Sequence, residues 1–144
     1  METYFEEEKE QEIVEEKDKK VVEFRKPWAL WTVGDEEYKL KLTTSAVVEL
    51  EKKLKGNLLN VFDLGSVPPL NIMLGIIQAG MKKYHHGITM TRMYELFDQY
   101  VEEGGSQMSL MMNVLMPLYQ VSGFFSEKMS QKMNSGLEEA KEEL

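Results

Sequence analysis

The chain contains no cysteine. That excludes disulfide scaffolds, thiolate metal sites and cysteine nucleophiles, and it suits a reducing compartment. A basic excess is missing too: 25 Asp and Glu against 17 Lys and Arg leave a net charge of −8. Binding nucleic-acid phosphates or an anionic lipid surface needs a basic patch, so neither nucleic acid nor membrane is expected as a partner. Long apolar runs are also lacking. The longest, Leu70 to Met81, is interrupted by Asn71, Gly75, Gln78 and Gly80 and is too short to span a bilayer. The stretch Met1 to Glu6 has neither the basic nor the apolar region of a secretory signal, so a cytoplasmic location is expected.

Chemical motifs are equally sparse. His85-His86 is the one pair that suggests a metal, yet adjacent helical residues point about 100° apart and no cysteine or carboxylate stands beside them at ligand spacing. Their expected role is structural, complementing the dipole at a helix C-terminus. The carboxylates sit in runs such as Glu6-Glu7-Glu8 and Glu138-Glu139, the pattern of solvated faces. Ser66, Ser106 and Ser122 lie in turn contexts without the Gly-x-Ser-x-Gly elbow, and Gly104-Gly105-Ser106 reads as a helix break, not a phosphate loop. These features describe a contact protein without catalytic residues, metal or cofactor.

What the chain has in excess is methionine: eleven residues, all but Met1 at or beyond Met73. Methionine is unbranched and polarizable, so it fills irregular gaps in cores and is over-used on surfaces that adapt to a partner. Met108, Met111, Met112 and Met116 crowd one segment.

The 144 residues suffice for one domain. Residues 1–26 are dominated by Glu and Lys, a composition that cannot bury enough apolar area to offset its ordering entropy, and they read as an acidic arm. Residues 27–125 carry the patterning of a single domain. Trp28–Val33 and Glu37–Leu42 flank Gly34-Asp35-Glu36, with Tyr38, Leu40 and Leu42 alternating against Lys39 and Lys41, which predicts a β-hairpin. Thr43-Thr44-Ser45 opens a first helix that is expected to end in a left-handed cap at Gly56-Asn57. Leu58–Phe62 reads as a short helical turn in the core. Pro68-Pro69 opens a second helix that stops at His85-His86-Gly87. Thr89 or Thr91 caps a third, in which Met93, Leu96, Phe97, Tyr100 and Val101 form the apolar stripe. Ser106 caps the fourth. The fold class is therefore mainly α: a small domain of four to five helices with an N-terminal hairpin. Residues 126–144 read as a polar tail, a weak amphipathic helix firmed up by a partner.

The fourth helix is apolar nearly all round, since Ser109 and Asn113 are its only polar side chains from Met108 to Tyr119. Such a helix is either fully buried or shared with a partner. A domain this small has little material to wrap it. At constant α-helical spacing, Met108, Met111, Leu115 and Tyr119 share one stripe and Leu110, Val114 and Leu118 another. The stripe of Met108, Met111, Leu115 and Tyr119, with Met112, Phe124 and Phe125, is expected to bind a partner or a second copy in a weak homo-oligomer, and the other stripe to complete the core. Pro117 should kink the helix by removing a backbone donor.

The stretches Glu37-Tyr38-Lys39-Leu40-Lys41-Leu42-Thr43-Thr44, Leu58-Leu59-Asn60-Val61-Phe62 and Pro68-Pro69-Leu70, followed by Lys83-Tyr84-His85-His86-Gly87-Ile88, Tyr100-Val101-Glu102-Glu103-Gly104-Gly105-Ser106 and Val121-Ser122-Gly123-Phe124-Phe125, have an order and spacing that resemble the tail assembly chaperones of long-tailed bacteriophages and prophages of Gram-positive hosts. The resemblance covers about two-thirds of the 144 residues and leaves the acidic arm outside it. It implies a small helical protein of the host cytoplasm, absent from the mature virion, that binds the tape measure protein, keeps it soluble and brings tail tube protein onto it. The residues alone leave a second class open: a cytoplasmic helical adaptor or regulator with one dedicated partner.

Overall fold

The computed structural model describes residues 27–62 and 66–143, and the acidic arm expected at residues 1–26 lies outside them. The chain from Pro27 is a mainly helical domain opened by a two-stranded antiparallel hairpin. Strands β1 (Ala29–Val33) and β2 (Glu36–Leu40) pair with Ala29 opposite Leu40, Trp31 opposite Tyr38 and Val33 opposite Glu36. Alternation puts Ala29, Trp31, Val33, Tyr38 and Leu40 on one buried face. An isolated hairpin is marginal in water, so this face must meet other elements. Lys41 N–H donates to the Gly80 carbonyl at 2.9 Å, and Leu42 N–H donates to Ser122 Oγ at 2.9 Å.

Five helices follow. Helix α1 (Thr44–Leu54) is capped by Thr43, whose hydroxyl accepts from Ala46 N–H. Its left-handed residue is Lys55, at φ 53°, and not the expected Gly56. The reason lies in the bonds around it. Glu51 accepts Gly56 N–H on its carbonyl and Leu58 N–H on its carboxylate, and these stitch the turn one residue earlier than the glycine suggested. A 3₁₀ turn (Leu58–Phe62) then buries Leu58 completely.

Helix α2 (Leu70–Met81) is the wrapped one: Met73, Leu74, Ile76, Ile77, Ala79, Gly80 and Met81 are all buried. A Cβ on Gly80 would lie 3.1 Å from the Leu118 side chain and 3.7 Å from Leu40 Cβ, so three elements converge there. The helix ends at Met81, before the expected stop at His85. His85 Nε2 instead accepts Lys39 N–H at 3.0 Å, and its ring packs edge-on to Tyr38. Its ring thus serves the hairpin, while its backbone N–H donates to the Met81 carbonyl at the end of α2 at 2.7 Å.

Helix α3 (Met90–Glu102), capped by Thr89, buries Met93 and Leu96. Val101, expected in its apolar stripe, is 46% exposed. Glu103 reaches back to accept Gly34 N–H at 2.7 Å, tying the hairpin turn to the end of this helix. Helix α4 spans residues 107–121 and is described below. Helix α5 (Glu127–Glu143) is capped by Ser126 and linked to α4 by a 3.0 Å hydrogen bond from Gln120 to Asn134. Among the described residues no helix is long and apolar enough to cross a membrane, and no group of three or more His, Asp or Glu is placed to hold a metal ion.

Candidate functional site: the methionine surface of the fourth helix

Helix α4 starts from a reciprocal cap. Ser106 Oγ accepts Ser109 N–H at 3.0 Å, and Ser109 Oγ accepts Ser106 N–H at 2.9 Å. Tyr100 OH lies 2.6 Å from Ser109 Oγ, which fixes the start of α4 against the end of α3. The Gln107 side-chain amide donates to the Pro68 carbonyl and pins the same turn to the entry of α2.

The helix then changes pitch. An α-helical turn (Gln107–Leu110) passes into a π-helical stretch (Met111–Leu115) and returns to α geometry (Met116–Val121). Met116 N–H bonds the Met111 carbonyl, five residues back. Pro117 supplies the cause. It has no N–H to give to Asn113, and its ring crowds that carbonyl. Widening the preceding turn relieves that clash.

The π-turn overturns part of the expected site. Each residue in it rotates less than the ~100° of an α-helix, so the helix phase slips by roughly a quarter turn across the five residues. Stripes drawn at constant spacing no longer hold together. Met108 points outward at 47% exposure, while Leu115 and Tyr119, expected beside it, are completely buried with Leu110, Leu118 and Val114. Leu115 and Tyr119 therefore offer no surface to a partner. Met111 and Met112 are half-buried, as are Phe124 and Phe125 at the end of the helix. Phe124 stacks on Tyr119 at 4.5 Å, and Tyr119 meets Phe62 edge-on at 4.7 Å. The Tyr119 hydroxyl donates to the Leu58 carbonyl at 2.9 Å inside the core. Burial pushes its phenol well above the ordinary value, and the negative charge of Glu51 acts in the same direction.

Of the seven residues expected at the site, Met108, Met111, Met112, Phe124 and Phe125 keep exposed area, and Met111, Phe124 and Phe125 also pack against the core. Their chemistry is that of contact: flexible thioethers and aromatic edges that repack against an apolar face. The sequence did not single out Tyr94 and Val48, which are 52% and 44% exposed. Tyr94 and Val101 are seven residues apart on α3, and that spacing, off the buried Met93–Leu96 line, was the available signal.

Residues 25–143 match DUF6096, a family of unknown function, and the chain belongs to that family. No curated protein and no solved structure matches the chain.

Proposed function

We propose that this protein is a tail assembly chaperone of a long-tailed phage or prophage. It binds the tape measure protein, keeps it soluble in the host cytoplasm and helps recruit tail tube subunits, and it is absent from the finished virion. The observation that carries this reading is the half-open methionine surface of α4, which lies over a core already closed by Leu110, Val114, Leu115, Leu118 and Tyr119. Met108 and the accessible parts of Met111 and Met112 are open to a partner, and methionine suits a long client whose face varies along its length. The net charge of −8 helps such a protein stay dispersed while that surface is open. The order of segments from Trp28 to Phe125 that resembles the phage chaperones supplies the identity of the client.

The test is co-expression with the tape measure protein encoded nearby on the same replicon. Tape measure protein should move from the pellet to the supernatant and co-purify with this chain. Replacing Met108 and Met112 with Lys should return it to the pellet while the chaperone stays folded. A tape measure protein that remains insoluble, or is equally soluble without this chain, would overturn the reading.

A further inference from the structure

A groove of about 400 Å³ runs between α1 and α2 and shares no residue with the methionine surface. Its floor is Ala46, Leu50, Gly75 and Ala79. A Cβ built on Gly75 would meet nothing within 4 Å, so the space above the floor is open. The rim carries four ammonium groups, Lys41, Lys53, Lys82 and Lys83, against one carboxylate, Glu49. Among the described residues no carboxylate pairs with Lys41, Lys53 or Lys82, while Lys83 lies over the Tyr84 ring. A local excess of three positive charges (four Lys less one Glu) stands out in a chain of net charge −8.

Helix α1 is unfinished on this side. None of its eleven residues is buried, although Ala46, Val47 and Leu50 pack against the core. Residues 46, 50 and 53 on α1 and 75, 79 and 82 on α2 recur at helical spacing and form the two walls. Each wall spans seven residue steps, about 10 Å of helix, which accommodates roughly two turns of an added segment. An apolar floor between cationic rims fits an acidic amphipathic segment.

The chain itself carries one, on the correct side. Trp28 packs edge-on to Tyr84, the neighbour of Lys83, and Ala29 pairs with Leu40, the neighbour of Lys41. The described chain therefore begins on the side of the Lys41–Lys83 rim. Residues Glu6–Glu16 hold seven Glu and one Lys, a net charge of −6 (seven less one), with Ile13-Val14 as their only apolar residues. Ten residues, 17–26, lie between Glu16 and Pro27 and make eleven Cα–Cα steps (27 less 16), a tether of up to about 36 Å.

We propose that the α1–α2 groove is the docking site of the chain's own acidic segment, Glu6–Glu16, with Ile13 and Val14 on the apolar floor and the flanking glutamates facing the lysine rim. Exposed ion pairs are individually weak and screened by salt, so the dock is reversible and is sustained by the high local concentration that the tether provides. The groove is then occupied in the resting chain and is freed for a competing acidic partner. This holds whether or not the chain is a phage chaperone.

The absence of cysteine makes the test clean. Gln11→Cys in the full chain takes a single nitroxide label, and paramagnetic broadening is read on the backbone amides. Broadening should concentrate on Ala46, Gly75, Gln78 and Ala79 at low ionic strength. It should fade at about 1 M salt, where the Debye length is about 3 Å. Lys53→Glu combined with Lys82→Glu should reduce it several-fold while distant amides keep their positions, which reports that the fold is intact. Broadening that is absent, spread evenly over the surface, or retained in the charge-reversed variant overturns the proposal. So does broadening that appears undiminished when labelled chains without ¹⁵N are mixed with unlabelled ¹⁵N chains, because the occupant is then a second copy.

Discussion

Tyr119 sets a pH limit on the whole domain through one hydroxyl. Its phenol is buried and donates to the Leu58 carbonyl, and burial raises its pKa from the ordinary 10.0. A raised acid favours the neutral form in the folded chain. Its stabilisation is therefore complete below pH ~10 and is lost as pH climbs past that value, because the unfolded chain can ionise while the folded one resists. Tyr119→Phe should cost about 1–3 kcal/mol near neutral pH, since the Leu58 carbonyl loses its partner. It should also flatten the alkaline decline of stability. Urea unfolding followed by circular dichroism from about pH 8 to about pH 11 checks both parts. Gly105 is a second such point. A Cβ there would collide with the Tyr100 ring, which packs edge-on to Trp31 at 5.8 Å and bonds Ser109. Gly105→Ala should lower stability by about 1–3 kcal/mol in a thermal melt, as overpacking does, and loosen the start of α4.

Helix α4 shows what periodicity can and cannot say. Ser106 was legible as a cap, Thr43 within Thr43-Thr44-Ser45 and Thr89 as one of Thr89 and Thr91, and the hairpin face was legible from strict alternation, because these signals are short-range and each rests on a few adjacent residues. The phase of α4 was not. A stripe drawn at constant rotation assumes one hydrogen-bond pattern throughout, and the shift to five-residue closure at Met111–Leu115 is decided by Pro117 downstream. Five of the seven residues expected at the site keep surface, while Leu115 and Tyr119 belong to the core. The contrast is measurable along one helix. Leu115→Ala should cost about 2–5 kcal/mol, the usual range for emptying a full leucine site. Met108→Lys should stay within about 0.5 kcal/mol of the parent, because the side chain already stands in solvent. Chemical denaturation of both variants, beside tape measure co-purification, separates their roles: the first should weaken the fold and the second the contact. Equal destabilisation by both would place Met108 in the core.

Across the molecule, the hairpin is held by distant parts of the chain. Gly34 is tied to Glu103, Leu42 to Ser122, and Leu40 shares one packing point with Gly80 and Leu118. No local pattern announces such pairings, so the hairpin was legible as an element while its seat was not. The helical class followed from composition and spacing. The groove between α1 and α2 was invisible in the sequence, because its lysines are separated by up to 42 positions, from Lys41 to Lys83.

The meeting of Leu40, Gly80 and Leu118 also bears on the order in which the protein is made. Synthesis runs at about 5–20 residues per second and releases the N-terminal part first. The apolar face of the hairpin thus leaves the ribosome well before Leu118, which packs on it, has been translated. For those seconds Trp31 and Leu40 lack their final cover, and contacts so far apart in sequence form slowly. Stalled nascent chains ending near residue 110 should be cut readily by protease within the hairpin, whereas chains with residue 125 clear of the exit tunnel should resist. Equal resistance at both lengths would mean that the hairpin and α2 suffice alone. If the difference is found, a newborn chain of this protein itself has a moment of need for the kind of shelter it is proposed to give.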